Sequence, residues 1–327
     1  MYTPQPERPM KNRKVATAKT RTVTTLPEAC ANELAAVEFM EEKRWDKTPC
    51  CPRCGDTDVY MMRDAMTGER SARFLWRCRG CKKQYTVRVC TIMEDSPIPL
   101  RHWCYSFWAA CASKKGVSAL QIQRMTGVTY KSALFMMHRI REAMRPVGGG
   151  KLQGTVKVDE TYIGGKPRFK GQRKAGRPNP NEKAGVLGMV ERDGRVRLRH
   201  MADFKAPRLR GAMREHIAMS ARLMTDEYNL YTAVGREFKG GHETVLHKAG
   251  EYARGDVTTN TIEGVFALLK RGMKGTFHSV TRKHLHRYLS EFEYRWNTRK
   301  MDDGARTALA IRSANGKRLT YAQQLAG

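Results

Sequence analysis

Residues 155–171 read TVKVDETYIGGKPRFKG. The first half alternates Val156 and Val158 with Lys157 and Asp159, the two-residue period of a β-strand with one apolar face. The strand is expected to stop on two carboxylates, Asp159 and Glu160. The second half is glycine followed by positive charge. From Lys166 to Lys183 the chain carries Lys166, Arg168, Lys170, Arg173, Lys174, Arg177 and Lys183 against Glu182. A lone aspartate at a strand end is most often a solvated turn residue. A basic loop beside it asks for more.

The residues that follow supply a frame. AGVLGMVERDGRVRLRHMAD (184–203) gives two strand-like runs joined by Asp193-Gly194, a good hairpin turn. APRLRGAMREHIA reads as a helix opened by Pro207 in its first turn. ARLMTDEYNLY is a short apolar strand ending at Thr225-Asp226, and HETVLHK is the last strand. NTIEGVFALLKRGMKG and TRKHLHRYLSEFEYRWNTRK are helices. The order βββαβαβα is that of the ribonuclease-H-like fold, a mixed sheet flanked by helices. In that fold one aspartate on the first strand and one after the fourth sit side by side, which predicts Asp159 beside Asp226. Clustered carboxylates repel one another unless a divalent cation lies between them. Oxygen ligands with open water positions suit Mg²⁺ or Mn²⁺, and two such ions serve in-line phosphoryl transfer. A later helix is expected to bring a third ligand. Glu263 is the favoured residue, because an anionic oxygen binds a hard cation better than an amide. Asn260, three positions earlier on the same face, is the alternative third ligand or a helix cap. Lys270, two turns beyond Glu263, is placed to grip a phosphate. The basic loop would then hold a nucleic-acid strand near the carboxylates.

Upstream the chemistry changes. CCPRCG holds Cys51 and Cys54, and CRGC holds Cys78 and Cys81. Two CxxC pairs with strand-like stretches between and after them predict a zinc ribbon. Four thiolates in a tetrahedron suit Zn²⁺ and leave no open position, so the zinc is structural. Cys50 could replace Cys51, but Cys51-x-x-Cys54 has the better spacing; Cys30, Cys90, Cys104 and Cys111 read as ordinary buried thiols. PEACANELAAVEFMEEKRW (27–45) reads as one helix. Beyond the ribbon, an apolar helix is followed by SALQIQRMTG and VTYKSALFMMHRIREAM. Two helices joined by TGVT suggest a helix-turn-helix. Its second helix offers Tyr130, Lys131, Arg139 and Arg141 for DNA contacts. RPVGGGK (145–151) reads as a hinge. The expected organisation is a multidomain α+β chain. It comprises a basic arm (1–26), a helix with the zinc ribbon (27–92), a helix-turn-helix-like DNA-binding domain (93–147), a ribonuclease-H-like catalytic domain (148–302) and a C-terminal tail (303–327).

Composition agrees with a polyanionic partner. The chain has 327 residues, with 61 Lys and Arg against 32 Asp and Glu, a formal net charge of +29 spread along its whole length. Such an excess points to nucleic acid. The first twenty residues lack the apolar core of a secretory signal. The apolar run His102–Ala112 is too short to span a bilayer. Paired cysteines at metal-site spacing fit a reducing cytoplasm and no membrane partner.

CPRCG…CRGCKKQYTV, SALQIQRMTGVTYKSA, KVDETYIGGK, TDEYNLY, NTIEGVFALLKRGMKGTFHSV and KHLHRYLSEFEYRWN closely resemble bacterial insertion-sequence transposases of the family named after insertion sequence 1595. The resemblance runs from about Pro27 to Lys300. It implies an N-terminal zinc ribbon and a DDE-type catalytic domain with Asp159 and Asp226 as the acidic pair, the third position being Glu, Asn or His in that family. The function implied is binding of an element's terminal inverted repeats, metal-dependent 3′-end cleavage and strand transfer into target DNA. The partner would be double-stranded DNA at the bacterial nucleoid. Two ends must be held together, so at least a homodimer is expected. Two alternatives share parts of the pattern. A zinc-ribbon DNA-binding regulator would not need the carboxylates to converge, and a ribonuclease-H-like nuclease or resolvase would lack strand transfer.

Overall fold

The computed structural model describes residues 21–46, 48–146, 148–164, 183–192, 194–245, 253–254, 257–258 and 260–326. Two helices open it, α1 (Arg21–Ala31) and α2 (Glu33–Trp45). The single helix expected over 27–45 is therefore broken, and helix begins before residue 27. Asn32 makes the break: its side chain accepts from the N–H of Ala35 at 2.8 Å, capping α2. A residue that bonds its own backbone favours the cap over the helix interior.

Three short strands follow, β1 (Val59–Met61), β2 (Trp76–Cys78) and β3 (Gln84–Tyr85), paired antiparallel in that order. Then come α3 (Leu100–Ala112), α4 (Ala119–Thr126) and α5 (Tyr130–Met144). Ser118 caps α4 by accepting from Gln121 N–H at 3.1 Å, and Thr129 caps α5 by accepting from Ser132 N–H at 3.2 Å. Gly127, at φ +74°, takes the left-handed turn between them.

The second half is built on a five-stranded sheet. Its members are β4 (Thr155–Ile163), β5 (Ala184–Glu191), β6 (Val196–Met201), β7 (Arg222–Asp226) and β8 (His242–Val245), in spatial order β6-β5-β4-β7-β8. β4, β5 and β6 form an antiparallel meander, while β7 and β8 join parallel to β4. Helices α6 (Ala206–His216) and α7 (Asn229–Gly235) connect the parallel strands. A small hairpin, β9 (Ala253–Arg254) with β10 (Val257–Thr258), precedes α8 (Asn260–Gly272). A π-helical turn (Met273–Phe277) extends α8, followed by α9 (Arg282–Asn297), α10 (Asp303–Arg312) and α11 (Tyr321–Ala326). This is the ribonuclease-H-like mixed sheet expected from the element order.

β5 shows why the sheet carries helices on both faces. Val186 and Val190 belong to the core formed with α8 and α9, while Leu187 and Met189 belong to the core formed with α6 and α7. A strand buried on both faces reads as a continuous apolar run, as AGVLGMV does.

The first half has one core, not two. Ribbon residues Cys51, Cys78 and Tyr85 pack in the same cluster as Trp103, Phe107, Ile122 and Met136 from α3 to α5. Tyr294 of α9 and Ala310 and Ile311 of α10 complete it. The stretch expected as a tail from residue 303 thus contains a helix packed on α2 and α3.

Candidate active site

β4 does not stop on its carboxylates. It runs through Asp159 and Glu160 to Ile163, paired throughout with β5, so Asp159 lies mid-strand. Thr161, Tyr162 and Ile163 are good strand formers and keep an antiparallel partner as far as Ala184. What ends near Asp159 is the parallel neighbour. Thr155 pairs with Arg222 and Lys157 with Met224, and the same offset carried two residues on sets Asp159 beside Asp226, the last residue of β7. Both aspartates sit where the sheet opens.

Alternation fixes which way each side chain points. Val156 and Val158 pack toward α6, so Lys157 and Asp159 face α8. Lys157, only 3% exposed, donates to Thr261 Oγ1 of α8 at 3.1 Å. Glu160 faces the other way and accepts the phenol proton of Tyr231 from α7. The two adjacent carboxylates therefore serve opposite faces of one strand.

α8 lies unusually near the sheet. Gly188 is directly opposite Asp159 on β5. A Cβ there would fall 2.6 Å from Ile262 Cδ1 and 2.7 Å from Phe266 Cε1. Only glycine lets the first turns of α8 rest on the strand. Ile262, Val265, Phe266 and Leu269 are buried on this contact, each stabilising it by about 1.5–3 kcal/mol. Glu263 falls on the adjoining face, exposed and in the first helical turn, where the helix dipole favours an acid. Asn260 begins the helix as its first residue, exposed, with the cap position one residue earlier. Lys270 is exposed near the far end of the same helix.

The electrostatics record the convergence. Burial pushes the Asp159 carboxyl up to about 7. The Glu160 N–H, donating to Oδ1 at 2.7 Å, opposes that rise, and the nearby charges of Glu160, Asp226 and Glu263 add to it. Burial also raises Glu160, against the pull of the Tyr231 hydroxyl. Asp226 Oδ1 accepts from Tyr228 N–H at 3.1 Å, which fixes one of its oxygens. Asp159, Asp226 and Glu263 thus share one electrostatic neighbourhood. They do not form a tight preset cage: among the described residues only the cysteine cluster has three or more candidate ligand atoms all within 4.8 Å of one another.

That cluster is Cys51, Cys54, Cys78 and Cys81. Cys51 and Cys81 sulfurs lie 3.6 Å apart, as do those of Cys54 and Cys78. Four sulfurs at about 2.3 Å from Zn²⁺ form a tetrahedron with edges of about 3.8 Å, so the donor set fits structural zinc. Cys81 N–H approaches Cys78 Sγ at 3.5 Å, an amide turned toward a ligand sulfur. Cys104 and Cys111 are fully buried thiols, and Cys30 and Cys90 are half-buried.

The expected DNA contacts divide. Lys131 is exposed at the start of α5. Arg139 is not available: it is 6% exposed and donates to the carbonyls of Leu319 and Glu94 at 3.0 and 3.1 Å. Arg141 is also internal, with Nε 2.7 Å from Glu291 Oε2 of α9. Both arginines lie on faces of α5 that distant parts of the chain cover. Lys166, Arg168, Lys170, Arg173, Lys174 and Arg177 lie outside the described residues. Lys157, Thr261, Tyr231 and Gly188 were not singled out as site residues in the sequence. Lys157 and Thr261 have a readable signal, a polar residue two positions from a candidate acid, while Tyr231 lies five positions from Asp226 and has none. Gly188 has none beyond a glycine inside a strand.

Among the described residues no helix is long and apolar enough to cross a membrane. Residues 151–297 match the model of an ISXO2-like transposase domain, and residues 31–84 match that of a transposase zinc-ribbon domain. The chain is 25% identical over 278 residues to an uncharacterized protein in transposable element ISH50 of Halobacterium salinarum, covering 81% of this chain and 90% of that one. Two solved structures give weaker likenesses, the Mos1 strand transfer complex and a pre-cleavage Mos1 transpososome. They are 15% and 14% identical, cover 66% and 94% of this chain and 78% and 100% of theirs, and superpose with a TM-score of 0.24 each, too low to bear on the assignment. The ribbon and the mixed sheet are thus each matched, in the order observed, by a domain model of the IS1595-type transposases.

Proposed function

We propose that this DNA transposase works through Asp159, Asp226 and Glu263 as a DDE-type acidic site, cutting at the ends of its element and joining them to target DNA. The observation that carries the reading is the register that sets Asp159 beside Asp226 on adjacent strands; burial first, and then the charges of Glu160, Asp226 and Glu263, raise Asp159 to about 7. Mutual repulsion of that kind is relieved by divalent cations, and an all-oxygen donor set with room for water fits Mg²⁺ or Mn²⁺, as a pair of ions. Bound there, such ions would polarise the scissile phosphate and make a bound water more acidic.

The chain's own residues have separate tasks. Asp159 and Asp226 present oxygens from adjacent strands, and Glu263 presents one from α8, with Asn260 as the alternative. Lys157 holds Thr261 and so the start of α8 against the sheet. Tyr231 keeps Glu160 on the opposite face. Lys270 would grip a phosphate of the strand. In the first step water attacks the scissile phosphorus in line, the bond to the 3′ oxygen breaks and a 3′-hydroxyl is released. In the second, that hydroxyl attacks a target phosphate, losing its proton to solvent as the target's own 3′ oxygen leaves. No protein nucleophile is consumed. The zinc ribbon, Lys131 and the basic loop Lys166–Lys183 would hold the element's inverted repeat. A dimer or larger assembly would pair two ends.

The test is Mg²⁺- or Mn²⁺-dependent nicking of a duplex carrying the element's own end, with wild type beside Asp226→Ala and binding measured in parallel. Nicking that disappears in the variant while binding persists is the expected result. Binding without cleavage by either protein, in both metals and on both strands, would leave a DNA-binding regulator as the reading.

A further inference from the structure

A cavity of about 720 Å³ lies between the helix-turn-helix and the chain that follows α8. Its walls come from α4 and α5 on one side and from Gly275–Thr281 and the start of α9 on the other. His278 lines it, as do two histidines in ring contact, His138 of α5 and His284 of α9, with centroids 4.8 Å apart. His138 is 1% exposed, and the buried Nδ1 of each ring has no hydrogen-bond partner among the described residues. An unpaired buried ring nitrogen costs about 1–3 kcal/mol, so a site that keeps two has a use for them.

The remaining lining says what kind of group would meet those nitrogens. Tyr288 stands edge-on to His138 at 5.9 Å, and Phe277 packs on Tyr288 at 4.8 Å. Tyr130 lies at the wall, half exposed at the first turn of α5. Gln121 adds an amide. Burial lowers both histidines below their ordinary value, His138 to about 2, and the neighbouring arginines add to the shift. Neutral imidazoles each offer one donor and one acceptor. They suit the edge of a neutral heterocycle better than a phosphate. Aromatic faces with a few edge donors and acceptors are how proteins receive an unstacked base. Arg124, exposed on the lining, adds positive charge for the backbone. The volume falls within the range of about 300–1,000 Å³ typical of small-ligand sites.

We propose that this cavity receives one unstacked nucleobase of the bound DNA. The inference rests on the transposase reading and adds a second contact to it.

The test places 2-aminopurine singly at each position of both strands across the cleavage site of the element's end. Emission and binding are read together for the full-length zinc-loaded protein. A several-fold rise at one position only is expected, because this base brightens when it leaves the stack. His284→Leu and Tyr130→Ala are each expected to abolish most of that rise. Tyr130→Ala should also weaken binding roughly tenfold, the scale of one lost base–aromatic stack. Bound duplex with no rise at any position overturns the proposal. So does a rise spread over many positions, or one undiminished in both variants. Failure of the wild type to bind the end at all would overturn the transposase reading and this inference with it.

Discussion

Asp159 is a half-buried carboxylate and Glu291 a fully buried one, and their surroundings send them in opposite directions. At Asp159 burial and three neighbouring acids raise the carboxyl to about 7. At Glu291 burial also acts upward, but the Arg295 and Arg141 guanidiniums more than offset it and hold the group below its ordinary 4.5. A carboxylate whose folded value is depressed stabilises the fold above its unfolded value, and that stabilisation is lost as pH falls through the folded one. Urea unfolding of wild type should therefore weaken as pH drops below about 4.5, and Glu291→Gln should flatten that limb. The same change should cost about 3–5 kcal/mol at pH 7, because it leaves two buried guanidiniums short of their partner. Equal stability of the two proteins at pH 7 would contradict the assignment. At this scale the sequence was legible where chemistry is local. Asp159 and Asp226 follow from strand alternation, and the four cysteines from their spacing. Arg139 and Arg141 were misread because their partners, Leu319 and Glu291, lie 180 and 150 residues away. No window around α5 contains them.

Among the elements, α8 is the one whose placement decides the site, and Gly188 decides α8. Gly188→Val would drive side-chain atoms into Ile262 and Phe266. Overpacking of this kind costs about 1–3 kcal/mol and moves the helix. A displacement of about 1 Å at reacting groups can cost about a hundredfold in rate. The variant should bind the element's end normally and cleave it about a hundredfold more slowly; unaltered cleavage would mean that α8 need not sit close. The ribbon makes a second element-level prediction. One zinc per chain should be found by elemental analysis, and Cys81→Ser or chelation should release it. Because Cys51 and Cys78 lie in the same core as Trp103 and Phe107, circular dichroism should show loss of helix from α1 to α5 as well as of the ribbon. Loss confined to the ribbon's own signal would contradict a shared core. The order of strands and helices was readable, since turn residues and periodicity mark each one. The length of β4 was not: two adjacent carboxylates look like a stop, and only pairing with β5 shows that the strand continues.

Across the whole molecule, the two halves are joined by buried charge and by a returning chain. Arg141 of α5 meets Glu291 of α9, which also takes Arg295, and the Arg141 guanidinium lies 3.9 Å from the Tyr288 ring centroid. Gly116, at φ +92°, lets the loop before α4 approach Phe277 of the π-turn, where a Cβ would come within 2.5 Å. The helix that carries the exposed Lys131, proposed as a DNA contact, is thereby seated on the helices that follow the acidic residues. α10 then crosses back to α2 and α3. Removing residues 303–327 should expose Tyr294 and leave the first core short of Ala310, Ile311 and Ala314. Hydrogen exchange in α2 and α3 should accelerate markedly in that variant, while exchange in β5 stays slow. Unchanged protection in α2 and α3 would show that α10 is dispensable. The acidic sheet and the ribbon could be read as separate sequence blocks, but the closing of the ribbon's core by Tyr294 and α10 could not. It depends on contacts between the first hundred residues and the last thirty. Translation gives that closure a timing. While a ribosome is still adding the acidic sheet, the ribbon and its helices lack the wall that α10 supplies. The ribbon's core therefore cannot close during synthesis until α10 has left the ribosome.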